Sequence, residues 1–289
     1  IIEDDGFFGT ASVLHVIDVS AKKEVREIDL LEKDIDADSI IFSQDHSVMV
    51  GETERELAVF NISETEIENI PIIEVDSGKE ISACGKLSDR DEVVFIIEDF
   101  FDEEKDAKLF TYDISSDNLK SIDIHLNSSD KIKMVTGKKS SRICVYSGDM
   151  FYVIDGDNGK MISQIVLMEN LSKDTLVDFD FFNEDIDLLV TYGNTVFMYN
   201  VLTANLVDSL MYDTSDALLN RYAPTLKLFT DSSSSYFALK DESYMGNMDR
   251  NMNKQLLYVF SVDTDMKMYP YAEVGHGYAS LSGKEIAVR

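Results

Sequence analysis

The chain contains no tryptophan, two cysteines and three prolines in 289 residues. Cys84 and Cys144 are too few for a disulfide framework. Both fall inside apolar strand-like runs, where a buried free thiol is the expected state, and that leans towards a reducing compartment. Basic side chains are scarce too: 26 against 55 acidic ones, for a formal charge of −29. A surface this negative repels phosphate backbones and anionic membranes unless a local basic patch overrides it. None is visible, because Lys138-Lys139 and Lys22-Lys23 are the only lysine doublets and Arg142 is the one near neighbour. No direct nucleic-acid binding is therefore expected, whereas a basic protein partner suits the charge.

No apolar run approaches the ~18 residues of a membrane-crossing helix, and no signal-peptide pattern opens the chain. Membrane insertion is not expected. The sequence starts at Ile1 rather than methionine, which points to a piece of a longer chain. Four histidines, His15, His46, His125 and His276, lie far apart. A metal centre or catalytic triad needs several such groups to converge. His15, inside a strand-like run, reads as a packed and hydrogen-bonded residue. There is no G-x-S-x-G, HExxH, P-loop or dinucleotide-binding fingerprint. Asp155-Gly-Asp-Asn-Gly159 superficially suggests a calcium loop, but the twelfth position, where a bidentate glutamate belongs, is Val166. No catalytic residue, cofactor or metal ligand is expected.

What the sequence does contain is a repeat. A short β-branched and aromatic run ending in Asp, Asn or Ser recurs six times. It reads LHVID (Leu14 to Asp18), LAVFN (Leu57 to Asn61), LFTYD (Leu109 to Asp113), FYVID (Phe151 to Asp155), VFMYN (Val196 to Asn200) and LYVFS (Leu257 to Ser261). The closing positions are spaced by 43, 52, 42, 45 and 61 residues. A propeller blade needs ~40–45 residues, so three spacings fit directly and two fit with insertions. Each run is followed by a polar turn and another strand, as in KMISQIVL after Asp155 to Gly159. There, Asn158-Gly159 predicts a type I′ hairpin turn, whose central positions want positive φ. Two further strands precede each run, such as Thr175 to Phe182 and Ile186 to Tyr192. Many strands are apolar on both faces, which suits a sheet wedged between two neighbours. Parallel α/β folds would need helical patterns between strands, and only Lys22 to Asp34 looks mildly helical.

The chain ends predict closure. Gly277 to Arg289 reads as an inner strand pair and Val13 to Leu30 as an outer pair; joined, they complete a mixed sixth blade and remove the exposed sheet edges. One echo disturbs that count. Ile1-Ile-Glu-Asp-Asp-Gly-Phe-Phe8 resembles Ile96-Ile-Glu-Asp-Phe-Phe101, so Ile1 to Asp5 could be a second strand, with a seventh blade possible.

On these residues the chain resembles the WD40-like and quinoprotein-like β-propeller superfamilies over essentially its whole length. The WD dipeptide is replaced by Tyr112-Asp113, Ile154-Asp155 and Tyr199-Asn200, and the GH signature is missing. Phe151 to Gln164 looks like the Asp-x-x-Thr-Gly-x-x-x-Trp signature of quinoprotein blades, with Asn158 in place of Thr. With no tryptophan in the chain, nothing supports a quinone cofactor. The resemblance implies an all-β fold of four-stranded antiparallel blades, spanning 1–289 as one domain, and the commonest family role, protein scaffolding. It transfers no site residue.

Acidic runs such as Asp89 to Glu92 and Asp178 to Asp187 are expected to be solvated faces or turns. The lengthened segments are more informative. Gly6 to Ala11, Asp99 to Ala107, Tyr212 to Pro224 and Asp241 to Gln255 are second-to-third-strand or blade-to-blade connections, which in a meander blade emerge on one face. They carry Phe7, Phe8, Phe100, Phe101, Tyr244, Met245, Met248, Arg250 and Met252, residue types enriched at interface cores. These nine are the expected partner-binding residues. The function expected is a non-enzymatic scaffold subunit of a large intracellular assembly (cytoplasmic or nuclear; coats, pores and pre-ribosomal particles are examples). The alternatives are an extracytoplasmic sensor or receptor module and a propeller hydrolase or lyase.

Overall fold

In the computed structural model the chain is built of β-strands joined by turns, with no helix among the described residues. Described are residues 2–4, 11–18, 21–29, 35, 40–42, 48–52, 56–61, 69–74, 79–87, 90–99, 106–127, 132–147, 150–167, 176–192, 195–211, 226–230, 235–241, 256–275, 279–282 and 285–288. The chain divides into two compact units, Ile1–Met134 and Val135–Arg289.

The first unit holds three sheets. One is three-stranded: β1 (Ile2–Asp4), β2 (Ala11–Asp18) and β3 (Lys23–Asp29). Then come β4 (Ile41–Phe42), β5 (Val48–Glu52), β6 (Glu56–Asn61) and β7 (Asn69–Glu74), followed by β8 (Lys79–Leu87), β9 (Glu92–Asp99), β10 (Asp106–Asp113) and β11 (Asn118–Asn127). The unit boundary falls within β12 (Lys133–Thr136), which pairs onwards with β13 (Arg142–Ser147), β14 (Met150–Asp155) and β15 (Lys160–Val166). The second unit continues with β16 (Leu176–Phe182), β17 (Asp187–Tyr192), β18 (Thr195–Asn200) and β19 (Leu206–Met211). After these come β20 (Leu226–Thr230), β21 (Tyr236–Asp241), β22 (Leu256–Val262) and β23 (Met268–Gly275), and a two-stranded sheet of β24 (Ala279–Ser282) and β25 (Glu285–Val288).

Each four-stranded sheet is an antiparallel meander in chain order. Five of the six recurring runs are its third strands, β6, β10, β14, β18 and β22; the remaining run is β2, the middle strand of the three-stranded sheet. Every third-to-fourth pairing, and that of β2 with β3, carries a register shift, for example between Val16 and Ile17, Val153 and Ile154, Met198 and Tyr199, and Val259 and Phe260. A one-residue bulge bends and twists the strand that carries it, and in these four sheets it falls at the same register.

Period-two alternation explains why these sheets are apolar on both faces. In β17, Leu188 and Val190 point towards the β12–β15 sheet, where they pack with Phe151, Val153 and Ile165. Leu189, between them, faces the other way and packs with Phe237, Leu239 and Phe260 of the β20–β23 sheet. The same split occurs in the first unit. Phe60 and Ala58 join Leu14 on one side of the β4–β7 sheet, while Val59 and Leu57 join Val93 and Phe95 on the other. Within each unit the sheets therefore stack face to face, as neighbouring blades do.

The expected N-terminal strand pair is present as β2 and β3, and Ile2–Asp4 adds a third strand by pairing with β2, as the Ile96 echo implied. One turn expectation needs correction. The Asn158-Gly159 hairpin is not a two-residue type I′ turn: Asp155 pairs with Lys160 across four loop residues, and only Gly159 has positive φ, 69°. The reason is the Asp155 carboxylate, which accepts from the Asp157 N–H (2.9 Å) and the Asn158 amide (2.6 Å) and so folds a longer turn. Asp113 does the same with the Ser115 and Ser116 N–H groups (2.9 and 3.1 Å), and Asn200 with that of Thr203 (3.1 Å). In these three runs the closing polar residue is therefore a turn-former.

Candidate functional site

The strand order fixes which connections share an end of each blade. The 5–10 and 100–105 connections follow β1 and β9 in the first unit; 212–225 and 242–255 follow β19 and β21 in the second. All are second-to-third-strand or blade-to-blade links. The nine residues nominated from the sequence, Phe7, Phe8, Phe100, Phe101, Tyr244, Met245, Met248, Arg250 and Met252, lie outside the described residues.

At the opposite strand ends of the second unit the structure brings together residues that the sequence left as surface. The turn between β16 and β17 holds three consecutive non-glycine residues in the left-handed region: Asn183 (φ 51°), Glu184 (53°) and Asp185 (62°). Each costs ~1–2 kcal/mol in that conformation, so something must hold them there. Asp185 is fully buried, and its carboxylate is received by the β12–β13 turn of the preceding blade. Oδ1 accepts from the Lys138 N–H (3.0 Å); Oδ2 accepts from the Lys139 N–H (2.6 Å), the Ser140 N–H (2.8 Å) and the Ser140 hydroxyl (3.0 Å). Successive backbone N–H groups aimed at one anion form a nest. The Arg142 guanidinium also donates to the Asp185 carbonyl. Gly137 is needed because a Cβ there would lie 2.7 Å from Asp185 Oδ2 and 2.7 Å from the Ser140 carbonyl oxygen.

The rest of the Asp178 to Asp187 run does similar work, which corrects its reading as a solvated face. Asp180 Oδ2 accepts from Lys138 Nζ (2.6 Å) and from the Thr230 hydroxyl (2.6 Å), so one carboxylate ties three blades together. Asp178 Oδ2 accepts from the Leu228 N–H (2.8 Å). Asp208 repeats the device at the outer edge, accepting from the Met268 N–H (2.8 Å) and Lys267 Nζ (3.1 Å). Burial pushes the Asp208 carboxyl up, but those donors outweigh it and hold it below the usual carboxylate range. The missed signal was the alternation Asp178-Phe-Asp-Phe181: apolar on one face, acidic on the other, in a strand whose both faces are covered. Of the basic cluster Lys138, Lys139 and Arg142, the Lys138 ammonium and the Arg142 guanidinium are thereby used within the fold.

Asp187 behaves oppositely. It is buried, and desolvation raises its carboxyl above the usual range despite hydrogen bonds from the Asn183 and Asn200 amides (2.8 and 3.4 Å). A folded-state pKa above the unfolded one means that the native state binds the proton more tightly. Stability is then lost as pH rises from the unfolded pKa through the folded one. Asp187→Asn should lack that dependence. Its unfolding midpoint relative to wild type should improve between about pH 4 and about pH 7, measured by urea denaturation at both; a pH-independent difference would contradict the assignment.

Cys84 and Cys144 are not joined in a disulfide, and burial pushes up the pKa of Cys144, which lies in the β12–β15 core. His15 is half-buried on β2 and shares a hydrogen bond with Glu24 of β3 (Nδ1 to Oε1, 2.6 Å). Glu27, also on β3, completes a group in which one ligand atom from each residue lies within 4.8 Å of the others. This fits the expectation of a packed, hydrogen-bonded histidine. The His125 side chain, His46 and His276 lie outside the described residues.

No family model matches the sequence, and no curated protein does either. In structure the chain is similar to Kluyveromyces lactis Hsv2 at 12% identity, with 91% of this chain and 80% of that one covered and a TM-score of 0.61. It is similar to Chaetomium thermophilum Sqt1, solved bound to the N-terminus of ribosomal protein L10, at 13% identity, 90% and 67% coverage and a TM-score of 0.59. It is also similar to the C-terminal WD40 domain of Sif2, at 10% identity, 81% and 58% coverage and a TM-score of 0.50. These likenesses show a fold, the β-propeller that the repeat implied, and the meander sheets are its blades.

Proposed function

We propose that the chain is a single propeller, of six blades or, with the Ile2–Asp4 strand beginning inside a further blade, of seven, acting as a non-enzymatic protein-interaction scaffold inside a larger intracellular assembly. The observation that carries this reading is where the long connections fall in the strand order: they follow β1 and β9 in the first unit and β19 and β21 in the second, all second-to-third-strand or blade-to-blade links. Their sequences supply Phe, Tyr, Met and Arg. In the second unit, by contrast, the first-to-second-strand turns at Gly137 and Asp185 are tied together by a buried carboxylate. Loops held on a rigid scaffold are where binding concentrates. A charge of −29 favours a basic partner segment. The similar propeller Sqt1, solved with a ribosomal-protein segment, supports protein partners for this fold.

The test replaces Met245–Met252 by a Gly-Ser linker in a tagged chain and compares the co-purifying proteins. Loss of one or more stoichiometric partners, with the thermal unfolding midpoint unchanged, is the expected result. Full recovery of every partner would remove that segment from the proposed surface.

A further inference from the structure

The first blade carries a polar triplet that the fold itself does not require. In β2 and β3, His15 pairs directly with Glu27, and the bulge after Val16 brings Glu24 opposite Ile17. Without that extra residue, Glu24 would fall on the opposite face of the hairpin from Glu27, because side chains alternate. The bulge re-aims it, and His15, Glu24 and Glu27 then share one face with their ligand atoms within 4.8 Å of one another.

Three other blades have the bulge at the same register, and they show what that face holds when only packing is at stake. The equivalent positions are Tyr152, Met161 and Gln164; Phe197, Leu206 and Ser209; and Tyr258, Pro270 and Glu273. Each has an aromatic residue where the first blade has His15, and none combines an imidazole with two carboxylates. The triplet of the first blade is thus an addition to the blade, not part of its construction.

We propose that His15, Glu24 and Glu27 bind a divalent cation of the zinc class. Imidazole nitrogen with carboxylate oxygen is a donor set that suits zinc and its transition-metal neighbours, whereas calcium and magnesium favour all-oxygen sites. Two carboxylates balance the cation's charge. His15 Nδ1 and Glu24 Oε1, now 2.6 Å apart across a shared proton, need to open to about 3.3 Å to become ligands of one tetrahedral ion with bonds near 2.0–2.1 Å. The exposed glutamates can make that adjustment by rotamer changes. Three protein ligands leave one coordination position for water. The site uses none of the residues of the scaffold surface proposed above and stands or falls independently of it.

The test titrates the whole chain with Zn²⁺ by calorimetry and with Co²⁺ by visible absorption. His15→Phe, which installs the aromatic found at that position in another blade, and the pair Glu24→Gln with Glu27→Gln serve as comparisons. One saturable equivalent is expected, with d–d bands in the cobalt spectrum, and each variant should weaken it at least tenfold while its metal-free unfolding midpoint stays put. Weak binding to the acidic surface is common to all three proteins and cancels. Absence of a saturable equivalent in the wild type, or wild-type affinity in either folded variant, would overturn the assignment.

Discussion

Asp185→Ala should lower the unfolding free energy by about 3–5 kcal/mol, the loss seen when one partner of a buried charged contact is removed. The substitution strands three backbone N–H groups and a hydroxyl that now converge on one carboxylate. Each buried donor left without an acceptor costs ~1–3 kcal/mol, though not additively, since water entering the vacated space recovers part of it. The second contribution is conformational: aspartate tolerates the left-handed region better than alanine does, and residue 185 sits there with φ 62°. Asp185→Asn should be milder, about 2–3 kcal/mol, because one oxygen remains while the new amide faces donors. Gly137→Ala attacks the same contact from the other side. Its Cβ would meet Asp185 Oδ2 at 2.7 Å, so its cost should be smaller in the Asp185→Ala background than alone, a coupling that a double-mutant cycle reads. With no tryptophan in the chain, urea unfolding is best followed by far-ultraviolet circular dichroism. An Asp185→Ala midpoint equal to wild type would show that the nest contributes nothing.

Phe179→Ala is the apolar counterpart. Phe179 is buried between two blades, 5.0 Å ring to ring from Phe151 in an edge-on contact and 6.3 Å from Tyr146. Deleting a core phenylalanine costs ~3–5 kcal/mol, from lost transfer free energy plus the cavity left behind. The cavity term should be near its upper range here, because both walls are rigid sheets that cannot collapse into the gap. Met211→Ala is the matched control: its side chain is 72% exposed, and such changes stay within about 0.5 kcal/mol. A loss at Phe179 no larger than at Met211 would mean that the two blades do not depend on each other's packing.

The blades were readable in the sequence because their third strands are sandwiched. Burial on both faces demands a continuous apolar run, and a tight polar turn must follow, so VFMYN and its five relatives announce themselves. The acidic bridges were not readable, for a physical reason. A carboxylate in a strand looks the same whether it faces water or the N–H of the next blade, and the partners of Asp178 and Asp185 lie 50 and 45 to 47 residues away. At Asn158-Gly159 the dipeptide's preference for a two-residue turn yields to the Asp155 carboxylate, which gathers the Asp157 N–H and the Asn158 amide into a longer one. The His15 triplet was hidden by a bulge: spacing along the chain puts Glu24 on the wrong face, and only the register shift corrects it.

The left-handed turn at Asn183 to Asp185 limits how this architecture can change. Taken alone, the β16–β19 blade carries a conformational debt that only the turn around Gly137 settles, so a duplicated or transplanted copy would arrive without its stabilising neighbour. Repeat proteins often grow and shrink by whole units. Here that route is obstructed at one junction, since inserting a blade between Val166 and Leu176 would separate a lock from its key.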